Sequence, residues 1–367
     1  MQEIIDGVQR LLPGWRVQEA TTLAGGNQAV VQRISARDEH GRPASVIAKL
    51  FITAREGPVR EAAALACLPP GLPVPRLLAE QTQPPLLIMT DAGTGRSVAD
   101  ALLGGDPCEA ETAVLDWANA LAAVHAATLG APETFATELG RRAGDLPVAI
   151  DSTVAYLDEA GARLAARSAE VGVATPGGWR EELGELARRL TGTGHSALSP
   201  CDACPDNNVR NDRGELSLID FEEASFRHIA WDVAYLTVPW PSCWCCWRIP
   251  GHLSDQAIGR YRSSMAPALP WVGGDGFRQG LDRATVGWAV ISLGWFLPGA
   301  LNGDPPPADA RLVAPARRAF LLHRLAQVIP AAERDDLPAI TAALKEWHTR
   351  LLELWGPQPL AAAPAFR

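Results

Sequence analysis

The sequence predicts an α+β fold of two unequal parts, a small β-rich lobe over residues 1–90 and a larger, mainly helical lobe over residues 98–355. Three observations predict it. Up to Thr90, short runs with β-branched residues are separated by Gly and Pro turns. From Val98 onward, alanine and leucine recur at helical spacing. One hairpin, Asn208 to Arg210 and then ELSLIDF, interrupts the helices.

The start, MQEIIDGVQRLL, is amphipathic and acidic and reads as a first helix. It lacks the charged start and apolar core of a secretory signal, so a cytoplasmic protein is expected. WRVQEATTL and NQAVVQRISA read as strands around Gly25-Gly26, and ASVIAKLF as a third after the polar turn DEHGRP. REGPVREAAALACL has Glu61 and its alanines at helical spacing and stops at Pro69-Pro70. PRLLAEQT and PPLLIMT complete the small lobe as two more strands, and residues 91–97, opening on DAGTG, form a linker.

The large lobe opens with helices through ETAVLDWANALAAVHAATL, STVAYLDEAGARLAARSAE and REELGELARRLTG. The hairpin follows, turning at NDRG. Helical patterns then resume to Trp355, and the Pro- and Ala-rich tail, residues 356–367, is expected to fray. The run from Ala284 to Leu301 is uncharged but holds three glycines and Pro298, which reads as a buried core helix rather than a membrane span.

At 367 residues and 47% apolar content the chain can bury a sizeable core. A net charge of −9 and the lack of a basic stripe argue against a nucleic-acid partner. Seven cysteines in a chain with no secretory signal predict reduced thiols and no disulfide framework. Of 33 basic residues only Lys49 and Lys345 are lysines, which makes each lysine informative.

The segment SPCDACPDNNVRNDRGELSLIDFEEA carries seven carboxylates and two arginines. Asp202 and Asn207 are five residues apart, and Asp220 closes LSLID thirteen residues after Asn207. A loop carboxylate can take a proton from an attacking hydroxyl, while an Asn oxygen and a second carboxylate suit Mg²⁺, a hard cation. An acidic surface hairpin is the bland alternative. Lys49, inside the apolar strand VIAKLF, needs a partner, and Glu61 on the next helix is a candidate. A strand lysine paired to a helix glutamate can position the phosphates of ATP. LAGGNQAVV, with Gly25, Gly26 and Asn27, offers backbone N–H groups to those phosphates, and no GK[ST] follows it.

Taken together and in this order, the residues resemble the aminoglycoside phosphotransferase and choline kinase-like family, and the resemblance covers most of the chain. That family's catalytic loop reads His-Gly-Asp, four residues, then Asn; PCDACPDN supplies Asp202 and Asn207. Its metal motif is matched by Ile219-Asp220-Phe221-Glu222, its bracing aspartate by Asp232, and its Leu-x-x-Leu-His helix end by LAAVHA with a structural His125. The resemblance implies a bilobal protein kinase-like fold with ATP between the lobes and adenine on the linker backbone from Met89 to Asp91. It also implies Asp202 as base, Asn207 and Asp220 on Mg²⁺, and a small-molecule hydroxyl acceptor. Overall acidity and Glu222-Glu223 suit a cationic acceptor such as an aminoglycoside or amino alcohol. Oligomeric state has no signature in the sequence.

Two other readings stand beside it. Pro200-Cys201 replaces His-Gly, which keeps open a nucleotide-binding pseudokinase with a regulatory role. Cys201, Cys204, Cys243, Cys245 and Cys246 keep open a zinc or redox module, against a default of buried thiols within a tryptophan-rich core or pocket wall.

Overall fold

A computed structural model describes the chain except for residues 1, 24–27, 54, 192–193, 238–239, 241–242 and 307–312. The small lobe runs α1 (Gln2–Leu11), β1 (Arg16–Thr22), β2 (Ala29–Arg37), β3 (Pro43–Phe51), α2 (Gly57–Cys67), β4 (Leu77–Thr82) and β5 (Pro85–Thr90). Its antiparallel sheet has the order β1-β2-β3-β5-β4. Side chains alternate across a strand, and β3 uses both faces. Val46 and Ala48 join Ile4 and Val8 of α1, Ile34, Leu86 and Ile88 in a small core of their own. Phe51, two residues beyond Lys49, instead joins Leu87 and Met89 in the main core, with Ile47 packed against it.

The large lobe runs α3 (Val98–Leu103), α4 (Pro107–Thr128), α5 (Pro132–Ala143), α6 (Thr153–Val171), α7 (Trp179–Arg189), β6 (Ser196–Ser199), β7 (Asn208–Arg210), β8 (Leu216–Leu218), β9 (Ser225–His228), α8 (Ala230–Val233), α9 (Gly251–Met265), α10 (Asp275–Leu301), α11 (Arg317–Arg334) and α12 (Pro338–Trp355). Two strand pairs lie among the helices. β7 and β8 form the expected hairpin, while β6 pairs with β9 from Ser196↔His228 to Ser199↔Ser225. Asn211 closes the hairpin turn by accepting the N–H groups of Arg213 and Glu215 at 2.9 and 3.0 Å.

α10 is the core helix and packs on α6, α8 and α11. Among the described residues it alone is long and apolar enough to cross a membrane, and 72% of its apolar window is buried inside the protein. It continues through Pro298. Gly287 is needed there because a Cβ would collide with the ring of Trp231, which is fully buried.

The tail departs from expectation. Arg248 N–H donates to the Ala361 carbonyl at 3.1 Å, and Ala363 N–H returns to the Arg248 carbonyl at 2.8 Å. Leu360, Ala363 and Ala365 are buried, and the Arg367 guanidinium lies 4.6 Å from the Trp247 ring. The small side chains that suggested fraying are what let the backbone lie this close. Leu360→Ala should therefore lower the unfolding free energy by about 2–4 kcal/mol. Denaturant melts of the two proteins check it, and a change below about 0.5 kcal/mol is what a frayed tail would give.

Candidate active site

The site is built around Lys49, whose side chain is 8% exposed. A buried ammonium must be paired, and three carboxylates reach it: Glu61 at 2.8 Å, Asp220 at 2.5 Å and Glu222 at 2.8 Å. Burial alone would lower the lysine's pKa, but Glu61, Asp220 and Glu222 outweigh it and the net shift is upward. The acids shift as well. Burial first, aided by Asp220 and partly offset by Lys49, raises Glu61; burial and then Asp220 raise Glu222.

Glu61 also accepts the N–H of Phe221 at 3.2 Å, so α2 holds the segment after β8 through its main chain as well. Asp220 has φ 66°. A left-handed backbone costs a non-glycine residue about 1–3 kcal/mol and persists where its surroundings over-determine it.

The loop from Pro200 to Asn207 joins β6 to β7. Asn207 donates its amide to the Asp202 carbonyl at 2.8 Å and to Asp202 Oδ2 at 3.1 Å. Its own carbonyl accepts the N–H of Ile219 at 3.0 Å. One residue thus links the Asp202 carboxylate to the strand end carrying Asp220. Asn208 accepts the N–H of Val98 at 2.8 Å and donates to the Pro205 carbonyl at 2.9 Å, which seats the loop on the start of α3.

Beneath the loop lies a buried polar network. Asp232 Oδ1 accepts the Ser199 hydroxyl at 2.7 Å and the Arg227 guanidinium at 2.6 Å, and Oδ2 lies 3.0 Å from His125 Nε2. His125 Nδ1 is 2.7 Å from the Tyr261 hydroxyl. Arg227 also donates to the Cys201 carbonyl at 3.0 Å, and Ser199 Oγ accepts the Cys201 N–H at 2.9 Å. Cys201, at φ 64°, is held in the left-handed region by these contacts. Burial would raise Asp232, but the Arg227 charge and His125 prevail and hold it at about 2.

The linker is pinned from both sides. Asp91 takes a two-pronged contact from Arg33, at 2.7 and 3.1 Å, and the Ser45 hydroxyl at 2.6 Å. Gly95 N–H donates to the Arg210 carbonyl at 2.8 Å, tying the linker to the hairpin. Met89 sits inside β5 with its side chain in the core.

A sequence model described as the phosphotransferase enzyme family matches residues 26–246. The chain belongs to that family. Among solved structures, an ethanolamine kinase of Plasmodium vivax is similar at 15% identity over 80% of this chain and 80% of its own, with a TM-score of 0.52. A macrolide 2'-phosphotransferase of Brachybacterium faecium is similar at 17% identity over 85% of this chain and 96% of its own, with a TM-score of 0.47. A choline kinase of Streptococcus pneumoniae is similar at 15% identity over 91% of this chain and 99% of its own, with a TM-score of 0.44. No curated protein matches the sequence. The kinase-like fold expected from the motifs is the fold found, a small antiparallel sheet beside a larger helical lobe.

In this phosphotransferase Lys49, Glu61 and Asp220 are in direct contact, and Asn207 joins Asp202 to the same strand end. Gly25, Gly26 and Asn27 lie outside the described residues. Asp91 uses its carboxylate on Arg33 and Ser45, so its side chain is engaged within the protein. Sequence reasoning missed Arg227, Ser199, Asn208 and Tyr261. Arg227, itself buried, gave no signal of this role in the sequence, because it takes its meaning from the β6–β9 pairing.

The thiols correct a second expectation. Cys204 and Cys243 form a disulfide, with Cα atoms 5.9 Å apart, because the segment after α8 folds back onto the loop. Cys245 lies beside Cys243 and Asp206. Cys201 and Cys246 join neither ligand cluster at the loop; Cys246 donates to the Cys243 carbonyl at 2.6 Å. The five cysteines therefore do not converge as a zinc site.

Asp232 makes the fold acid-sensitive in a defined window. Its folded pKa of about 2 lies below the ordinary 3.8, so its contribution is complete above about pH 4 and is lost as pH falls toward 2. That shift corresponds to roughly 2 kcal/mol. Asp232→Asn should cost about 3–5 kcal/mol at neutral pH, because Arg227 is left buried without its counter-charge. Denaturant melts from neutral pH to pH 2 test both statements. Equal stability of the two proteins at neutral pH would show that Asp232 does not brace the loop.

Proposed function

We propose that this enzyme transfers the γ-phosphoryl group of ATP to a hydroxyl of a small cationic acceptor of the aminoglycoside or amino-alcohol class. The observation that carries the proposal is that stretches far apart in sequence bring Lys49, Glu61, Asp202, Asn207 and Asp220 into one connected constellation. Asp202, half-buried and oriented by Asn207, orients the acceptor hydroxyl and takes its proton. Lys49, aimed by Glu61, contacts the phosphates of ATP. Main-chain groups of the linker from Met89 to Asp91 hold adenine, and those of Gly25, Gly26 and Asn27 the phosphates.

The donor set fits a divalent cation. Asp220 lies in a cluster of carboxylate oxygens with Glu61 and Glu222, the ligand type a hard dication prefers, and all three also meet the Lys49 ammonium. Asn207 and Asp220 would hold Mg²⁺, which supplies neutralisation of charge on the transferring phosphoryl group.

Glu222 pairs with Lys49, which leaves Glu223, the acceptor of the Tyr156 hydroxyl at 2.8 Å, as the member of that pair to meet a cationic acceptor. Asp206 is a second candidate. It lies on the Asp202 loop, half-buried, and accepts the Trp244 indole N–H at 2.6 Å. The pseudokinase reading draws on Pro200-Cys201, but Arg227 braces the Cys201 carbonyl and so supports a loop fit for catalysis.

Asp202→Asn keeps the shape of the loop and removes its basicity. Acceptor-dependent ADP release should fall at least about a hundredfold while Mg·ATP affinity stays nearly constant. A broad screen of hydroxyl-bearing metabolites and antibiotics supplies the acceptor. Undiminished turnover in the variant would remove Asp202 from catalysis, and Mg·ATP binding with no acceptor phosphorylated would favour the pseudokinase.

Asp220→Asn should abolish most of the Mg²⁺-dependent part of the melting shift given by ATP, because an amide oxygen is a poorer ligand for a hard dication. A shift as large as that of the unmutated protein would place the metal elsewhere.

A further inference from the structure

We propose that the Cys204–Cys243 pair is a redox-modification site that sets the activity of the Asp202 loop, the oxidised form being the faster enzyme; this rests on Asp202 acting as the base. Cys204 stands two residues after Asp202 and three before Asn207. Cys243 lies 39 residues further on, in the segment that carries Trp240, Trp244 and Trp247. Their Cα separation of 5.9 Å is one that a disulfide spans without backbone movement. The cross-link therefore ties the loop to the tryptophan-rich wall.

Two consequences of opening it act in the same direction. Cys204 Sγ is 3.1 Å from Asp202 Oδ1. A disulfide sulfur has no hydrogen to give, whereas the thiol donates to that carboxylate oxygen and so competes with an acceptor hydroxyl for it. The loop also loses its covalent tether, and phosphoryl transfer depends heavily on positioning. Asp206 keeps the two segments adjacent meanwhile, through Trp244 at 2.6 Å.

The chemistry balances with a small thiol as co-reactant. Its thiolate attacks one sulfur, the Cys204–Cys243 bond breaks, and a mixed disulfide forms. A second small thiol releases the adduct as a small disulfide. The two protein sulfurs end as thiols, having gained two electrons and two protons. Both cysteines are buried, at 3% and 2% exposure, so the co-reactant must be small and exchange slow.

The test uses the full chain equilibrated in oxidised or reduced glutathione, with thiols counted by alkylation and mass. Five alkylated cysteines are expected in the oxidised protein and all seven in the reduced one, since five of the seven are free in the structure. Reduction should lower acceptor-dependent turnover about three- to tenfold at unchanged Mg·ATP affinity, a small part of what a general base is worth. Cys243→Ser, which keeps the Cys204 thiol, should match the reduced enzyme in both buffers. Amide hydrogen exchange over residues 201–207 should be faster after reduction, a readout independent of turnover. The unmutated protein in two buffers decides the matter even if the variant folds poorly.

Seven alkylated thiols in both buffers would overturn the proposal. So would a change from five to seven with identical turnover and exchange, and that result would leave the phosphotransferase reading intact. Turnover of no acceptor in either state would instead sink the assignment of Asp202 and this proposal's effect on rate, while exchange would still decide whether the bond tethers the loop.

Discussion

The constraint on which the site depends is the burial of one ammonium. Lys49 is nearly out of water, and a charge in that position is tolerated only with partners in good geometry. Those partners come from separate places: Glu61 from α2, Asp220 and Glu222 from the segment after β8. Satisfying one side chain therefore fixes three pieces of backbone relative to each other, two in the small lobe and one in the large. Removing one partner of such a cluster is costly, of order 3–5 kcal/mol, because the remaining charges stay buried. The lobes are joined through charge at this point rather than through apolar contact alone.

The loop carrying Asp202 has no regular structure to stiffen it, so its shape must be imposed by neighbours. Arg227 and Ser199 do so from below, Asn208 from the α3 side, and the Cys204–Cys243 bond from the tryptophan-rich wall. The polar network under the loop is connected from Tyr261 through His125 and Asp232 to Arg227. Buried polar groups rigidify a structure when each finds a partner. Pro200-Cys201 stands where the family pattern has His-Gly, and here Arg227 and Ser199 of this network hold the Cys201 main chain.

How much of this was legible follows from how local each signal was. The five strands of the small lobe and the β7–β8 hairpin are local, set by alternation and by turn residues within a few positions, and were readable. Lys49 stood out because a cation in an apolar strand needs an explanation that sequence alone can pose. Asp202, Asn207 and Asp220 could be grouped by spacing, and the fold joins Asn207 to Asp202 and to Ile219 beside Asp220. The β6–β9 pair was not readable, because it joins four-residue strands almost thirty positions apart, and Arg227 takes its meaning only from that pairing. The disulfide was hidden for the same reason, with partners 39 residues apart and no spacing that pairs Cys204 with Cys243. The tail misled because alanine-rich composition says nothing about whether a complementary surface exists.

The two left-handed non-glycine residues flanking the site, Cys201 and Asp220, show where the fold spends stability. Each conformation is unfavourable in isolation, so each must be over-determined by its contacts. Cys201 is held through its N–H by Ser199 and through its carbonyl by Arg227. Asp220 is held through its side chain by Lys49 and through the next N–H by Glu61. In both cases the restraining groups are buried and charged or bonded to a charge, so they act in a low dielectric and lose little to solvent. The strain thus sits at the two ends of the segment that carries Asp202 and Asn207, while the hairpin between them is relaxed. A loop shaped in this way is ordered before any ligand arrives, so binding energy need not be spent on ordering it.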